Sequence, residues 1–174
     1  MSNLTLVFPT MEYKQQALDY IEEHLQNNET KLQGVGGLCN APTYEIWVNE
    51  VTNLHNKTNV AEGFVSGSAY FGVVDHQIVG MINIRHQLNN YLFNFGGHIG
   101  YGVRPTQRKK GYAKEMLKQA ALRKAKELDI DRVLLTCDKA NIASQRTILS
   151  QGGILENEIE DDQRVTQRYW IQIQ

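Results

Sequence analysis

The chain has 174 residues, 41% hydrophobic and 21% charged, the proportions of an ordinary folded domain rather than of a disordered or fibrous chain. Eighteen basic and nineteen acidic side chains leave a net charge of -1, which disfavours wholesale binding to nucleic acid or to an anionic membrane. Two cysteines make no disulfide framework, no stretch reaches the ~18 apolar residues of a spanning helix, and the start of the chain shows no signal-peptide pattern; the expectation is one domain over residues 1–174 in a reducing cytoplasm.

Leu4 to Phe8 reads as a short strand stopped by Pro9. Thr10 then caps a helix from Met11, with Leu18, Ile21 and Leu25 as its apolar face. The Asn- and Gly-rich stretch from Asn27 to Pro42 reads as a loop. Thr43 caps a second helix that buries Trp47, Val51 and Leu54. Tyr70 to Val74 and Ile78 to Arg85 form a hairpin about the turn Asp75-His76-Gln77. A longer connection, bracketed by Asn89-Asn90 and Gly96-Gly97, leads to a strand from His98 to Val103.

The spacing of Ala113, Met116, Leu117, Ala120, Ala125 and Leu128 predicts a core-facing helix from about Tyr112 to Leu128. Arg132 to Cys137 is apolar after its first residue, as in a strand buried on both faces. A short helix from Asn141 to Leu149 ends at Gly152-Gly153, and Ile154 to Ile159 pairs with Val165 to Ile171. Strand, helix, strand in the middle implies a right-handed parallel crossover, and the hairpins at both ends imply antiparallel edges. The fold class is α/β, a mixed central sheet with helices on both faces.

The segment Val103 to Ala113 carries the chemistry. It lies between a strand and the start of a long helix, whose free N–H groups and positive dipole end suit an anion. Five of the eighteen basic residues, Arg104, Arg108, Lys109, Lys110 and Lys114, fall in or beside it, and Gly111 lets backbone approach a ligand. Gly111 is followed by Tyr112 and Ala113 rather than Lys and Ser or Thr, so the nucleotide-triphosphate loop is not matched. Gly100 and Gly102 lie within the strand, which fits a dinucleotide fingerprint badly. A phosphate-rich ligand is the remaining reading.

These residues resemble the GNAT superfamily of N-acetyltransferases. Arg108-Lys109-Lys110-Gly111-Tyr112-Ala113 is similar to its pyrophosphate loop, with Val103 and Pro105 upstream, Asn141 and Ser144 after the next strand, and Arg168 to Ile173 as the closing strand. The resemblance runs from about Ile78 to Gln174. It implies an acyl-CoA N-acyltransferase fold that takes acetyl-CoA as co-substrate and acetylates a primary amine of a small molecule or peptide by direct attack. Tyr101, Gly102 and Val103 would pair with the pantetheine arm, Arg108 to Ala113 would hold the pyrophosphate, and Asn141 and Ser144 would lie near the arm. Relatives pair as dimers, which makes Val165 to Ile171 a candidate contact in a homodimer.

Two positions depart from the family pattern: Lys109 stands where a second glycine is frequent, and Ile148 where many members carry the tyrosine that protonates the departing thiolate. Either Tyr101 or Tyr169 is the acid, or the thiolate leaves assisted by water and backbone. His98 is the candidate base, since its ordinary pKa of about 6.5 suits proton removal near neutrality and Gly100 and Gly102 leave room on its face. Arg85 and His86, ending the preceding strand, are candidates to meet an acidic group of the acceptor. No ligand spacing points to a metal. A non-catalytic acyl-CoA sensor is the competing reading; a nucleic-acid module is disfavoured by the confined basic cluster and the absence of an aromatic stacking motif.

Overall fold

The computed structural model describes residues 3–173, and the main chain alone at 121 and 122. Among the described residues, seven strands form two antiparallel sheets rather than one. β1 (Thr5–Val7), β2 (Gly67–Val74), β3 (Gln77–Arg85) and β4 (Ile99–Val103) lie in the order β1-β2-β3-β4, while β5 (Arg132–Asp138), β6 (Ile154–Glu160) and β7 (Val165–Gln172) lie in the order β5-β7-β6. Asp75 and His76 both take positive φ, giving the two-residue turn whose twist suits a β-hairpin. The expected crossover therefore joins two sheets, and strands β4 and β5 meet only at one end.

Helices cover both faces. α1 (Lys14–Gln26) and α2 (Tyr44–His55) pack on one face of β2 and β3, around Tyr20, Trp47, Phe71 and Met81. α3 (Tyr112–Gln119), a wide helical turn (Ala120–Lys124) and α4 (Ala125–Glu127) continue one another on the opposite face. There Met116, Leu117, Ala120 and Ala125 are buried with Ile82, Ile84, Leu135 and with Ile148 of α5 (Ile142–Ser150). The step of five between Ala120 and Ala125 is longer than a helical period; the i→i+5 turn absorbs the extra residue and keeps both on the core side.

Two local expectations change. Thr43 does cap α2, accepting from the Ile46 amide at 3.2 Å, but the Thr10 side chain caps nothing, and a short 3-10 turn over Met11–Tyr13 precedes α1. The buried residues of α1 are Ala17, Tyr20 and His24, whereas Leu18 and Leu25 are 40% and 52% exposed. His24 is drawn inward because its Nδ1 meets Glu29 at 2.7 Å, so a polar anchor overrides the apolar stripe. The connection before β4 also contains a helical turn, Leu92–Gly96, started by Asn89 Oδ1 accepting from the Leu92 amide at 2.9 Å.

Candidate active site

The site begins where β4 and β5 part. The His98 amide donates to Leu134 O at 2.7 Å, and the Leu134 amide donates to His98 Nδ1 at 2.9 Å. Beyond that rung β4 pairs with β3 and β5 with β7, and the two sheets diverge. Arg85 N bonds to His98 O and Arg104 N to Val79 O, which sets the alternation along the β3–β4 ladder. Tyr101 and Val103 consequently turn their N–H and C=O groups away from β3 and toward the opening. Val103 O accepts from Arg108 Nε at 3.1 Å, and the other main-chain groups of this edge are a template for another extended, amide-bearing molecule.

At the far end of β4 the chain makes a 3-10 turn over Pro105–Gln107 and reaches Gly111, the residue before α3. Gly111 has φ +85° and a side chain there would meet nothing within 4 Å, so glycine is required by the left-handed backbone and not by crowding within the protein. Lys109 also takes φ +64°. That conformation accounts for the glycine frequent at this position in the resembled family, since an L side chain is strained there. The first-turn amides of α3 have no intrahelical acceptor and lie on this same loop.

Two carboxylates, Glu23 in the last turn of α1 and Glu29 just beyond that helix, hold the loop. Glu23 accepts from Arg104 Nε at 2.5 Å and from the Thr106 amide and hydroxyl at 2.9 and 2.7 Å. Glu29 takes both Arg108 nitrogens, Nη1 and Nη2, at 2.6 Å each, and Arg108 Nε donates to Val103 O at 3.1 Å. The Arg108 guanidinium beside Glu29 holds that carboxyl well down, at about 2. Arg108 therefore braces the loop against α1 and β4, while Lys109 and Lys110 stay exposed. Nothing local in the sequence signals Glu23 or Glu29, which lie about eighty positions away from their partners.

His98 has a structural task. Its Nδ1 accepts a backbone N–H, so the neutral ring carries its proton on Nε2 and has no free lone pair for a substrate. Burial, helped by the charge of Arg85, pulls its pKa down to about 4. The ring expected to act as base thus stands in for the carbonyl that β4 no longer offers to Leu134. The room expected on this face is taken over Gly102 by main chain of Gln33 and is narrowed beside Gly100 by the Asn83 side chain, 2.9 Å from where a side chain would begin. A side chain on Gly102 would lie 2.8 Å from Gln33 O, and one on Gly100 would lie 3.6 Å from Gly34 N.

Tyr101 faces the opposite side, where its hydroxyl meets Ser144 Oγ at 2.9 Å. Burial pushes that phenol up to about 12, so it stays protonated. Ser144 lies in the first turn of α5, and its amide is capped by Asn141 Oδ1 at 3.1 Å. Asn141, Ser144 and Tyr101 therefore come together on one lip of the opening. Tyr169 is committed elsewhere, donating to Gln167 Oε1 at 2.7 Å. Ile148 is fully buried among core side chains.

Arg85 and His86 do not act together. Arg85 Nη1 reaches Gly96 O and Gly97 O at 3.3 and 3.4 Å. His86 Nε2 instead meets Ser68 Oγ at 2.8 Å, and Ser68 meets His55 Nδ1 at 2.8 Å. Successive strand residues point to opposite faces, which separates the expected pair. Arg85 is one of three side chains that pin the turn before β4; Thr136 Oγ donates to Phe95 O at 2.6 Å and Arg168 Nε to Phe93 O at 3.0 Å. Among the described residues no group of three or more His, Cys, Asp or Glu is placed to hold a metal, and no helix is long and apolar enough to cross a membrane.

Comparison with known proteins gives three findings. The sequence profile of the acetyltransferase (GNAT) domain matches residues 35–153. No curated protein matches the chain by sequence. Solved structures share the fold at low identity. One is the Salmonella typhimurium acetyl transferase that modifies the N-terminal serine of a 50S ribosomal subunit protein (15% identity, TM-score 0.71, covering 98% of this chain and 95% of that one). Another is the microcin C7 self-immunity acetyltransferase in complex with acetyl-CoA and AMP (15%, 0.71, 98% and 92%). A third is an acetyltransferase of the GNAT family from Streptococcus pneumoniae (16%, 0.69, 99% and 100%).

Proposed function

This chain belongs to the GNAT acetyltransferase family, and from that premise we propose that it transfers the acetyl group of acetyl-CoA to a primary amine of a small molecule or peptide by direct attack. The observation that carries the proposal is the open edge of β4 running straight into the loop before α3. Acetyl-CoA supplies an acetyl thioester on an extended, amide-bearing arm that ends in a pyrophosphate, and the residues present suit each part. Main-chain groups of Tyr101 and Val103, on either side of Gly102, whose own groups face β3, form the edge that pairs with the arm. Amides from Arg108 to Ala113, with Tyr112 at the helix start, receive the pyrophosphate. Lys109 and Lys110 add charge there, and Asn141 and Ser144 border the arm from α5.

The chain's own chemistry is then positioning, carbonyl polarisation and one proton donation. A main-chain N–H on the β4 edge polarises the carbonyl. The Tyr101 phenol, kept protonated by burial, gives its proton to the departing thiolate, in place of the tyrosine that Ile148 replaces, and the proton shed by the attacking nitrogen as the amide forms passes through water to restore the phenol. With His98 engaged at Leu134, the acceptor enters as the neutral amine. That favours α-amino groups, whose pKa is about 8, over lysine side chains at about 10.4.

Calorimetric titration with acetyl-CoA, with ATP and NAD as controls, tests the co-substrate. Micromolar binding of acetyl-CoA alone is expected, and release of free CoA on adding amines then tests catalysis. Tyr101→Phe should lower turnover about 100-fold, within the range for a general acid, with acetyl-CoA affinity retained. The buried Ile148 favours one competing reading, a non-catalytic acyl-CoA binder; tight binding with no CoA release from any amine would select it.

A further inference from the structure

Four guanidiniums are built into the walls of the site, and three hold a carboxylate: Arg104 with Glu23, Arg108 with Glu29 and Arg168 with Glu156. Arg85 differs. Among the described residues no acidic side chain lies within 4 Å of it, and its protein partners are neutral and distant. They are Gly96 O and Gly97 O at 3.3 and 3.4 Å and, with the Asn83 amide turned so that its nitrogen donates to Gly100 O, the Asn83 oxygen at 3.3 Å from Nε. Burial pulls the guanidinium below its ordinary range. A sequestered charge is costly unless it is paired.

Its position gives the missing anion a meaning. Around the point where a side chain on Gly100 would begin lie the Asn83 side-chain amide at 2.9 Å, Gly34 N at 3.6 Å and Arg85 Nη1 at 3.7 Å. Gly100 precedes Tyr101 on β4, one step from the place where the sheets part. Two donors, one charged and one a main-chain amide, thus border the same space on the face of β4 that carries the loop between α1 and α2. Resting on the acetyltransferase reading above, we infer that this is an anion subsite for the acceptor: the amine that is acetylated carries a carboxylate, which docks on Arg85 beside Gly34. The guanidinium fork and a carboxylate match in geometry.

Paired acceptors test this. Alanine is compared with alaninamide, and the peptide Ala-Glu-Ala-amide with Ala-Gln-Ala-amide, by acetyl-CoA-dependent CoA release. The carboxylate member of at least one pair should have a kcat/KM about 10- to 100-fold higher, the range of a charge-assisted hydrogen bond. The first pair reports a free amino acid and the second a peptide. In Arg85→Gln the advantage should collapse through KM while calorimetric affinity for acetyl-CoA is retained; Arg85→Lys, which keeps the charge but loses the fork, should lie between. A role confined to pinning Gly96 and Gly97 would not distinguish carboxylate from amide.

Equal rates within both pairs, or an advantage that survives Arg85→Gln, would overturn the inference. Where turnover is undetectable, equilibrium binding of N-acetylalanine against its amide decides the same question: preference for the carboxylate that Arg85→Gln abolishes supports the subsite, and no preference overturns it. Absence of acetyl-CoA binding by the unmodified protein would instead break the acetyltransferase reading.

Discussion

The two ends of β4 are held in place by different means. At its start, main chain lies against main chain: His98 and Leu134 share a rung, and a side chain added to Gly97 would lie 2.6 Å from Leu134 O. At its finish, the loop before α3 is held by ion pairs, with Arg108 and Glu29 only partly covered (42% and 31% exposed side chains). Backbone contact cannot adjust without moving a strand, whereas an exposed ion pair yields to salt, pH or a competing anion. The rigid end sets the angle at which the sheets part, and the adjustable end is where phosphates would be received. The same contrast separates the arginines: Arg104, Arg108 and Arg168 are each paired to a carboxylate, whereas Arg85 is held only by neutral oxygens and is the one proposed to meet a ligand.

The sharpest way to break this contrast is a pair of glycine substitutions. Gly97 combines φ +67° with ψ -176°, a conformation essentially confined to glycine, against a backbone neighbour. Gly97→Ala should cost about 3 kcal/mol or more, adding strain to overpacking, and lower Tm by roughly 10 °C. Gly111→Ala meets open space and pays only for its φ, about 1–2 kcal/mol. Equal losses in thermal denaturation would show that the two ends are equally rigid.

Next in size is His98→Ala, which leaves the Leu134 amide without its acceptor and should cost about 1–3 kcal/mol. Turnover should fall less than the ~100-fold expected of a lost general base. Because the folded pKa, about 4, lies below the unfolded value near 6.5, the unfolded chain binds the proton first. The stability linked to this ring is complete above pH ~6.5 and is lost as pH falls toward 4. A pH–rate step near 6.5 that disappears in His98→Ala would restore the ring to catalysis.

Glu29→Gln addresses the other end, with an expected loss of about 1 kcal/mol that shrinks at high salt. The Glu29 carboxyl, drawn down to about 2 chiefly by Arg108, contributes stability that is present above the ordinary glutamate value of about 4.3 and fades as pH falls through 2. Urea midpoints measured across that window should fall less steeply in the variant than in the parent. The smallest effect belongs to Lys109→Gly. Relief of a left-handed lysine and the entropy gained by an unfolded glycine nearly cancel, so stability should move by less than about 1 kcal/mol; a larger loss would mean that the lysine side chain itself holds the loop.

Much of this organisation was legible from local pattern. The hairpin at Asp75-His76, the cap at Thr43, the buried stripe from Met116 to Ala125 and the short helix after Asn141 follow from residue spacing and turn chemistry, which act over a few positions. The same holds for the loop from Arg108 to Ala113, because the chemistry of a helix start is written in consecutive residues. The face of α1 was not legible, since His24 turns inward to reach Glu29 rather than to bury apolar surface. Nor was the separation of Arg85 from His86, because proximity in sequence says nothing about which partner each strand face meets.

The sequence alone therefore determined which segments are helices and strands, and that a phosphate-suited loop follows β4. Both depend on short-range periodicity, caps and backbone preference. Tertiary structure alone decided that seven strands divide into two sheets at His98 and Leu134, that Glu23 and Glu29 reach the loop from about eighty residues away, and that Arg85 is left without a counter-charge. Those outcomes depend on which distant groups meet across a packed interior, where a buried donor or charge must be paired and no local rule names the partner.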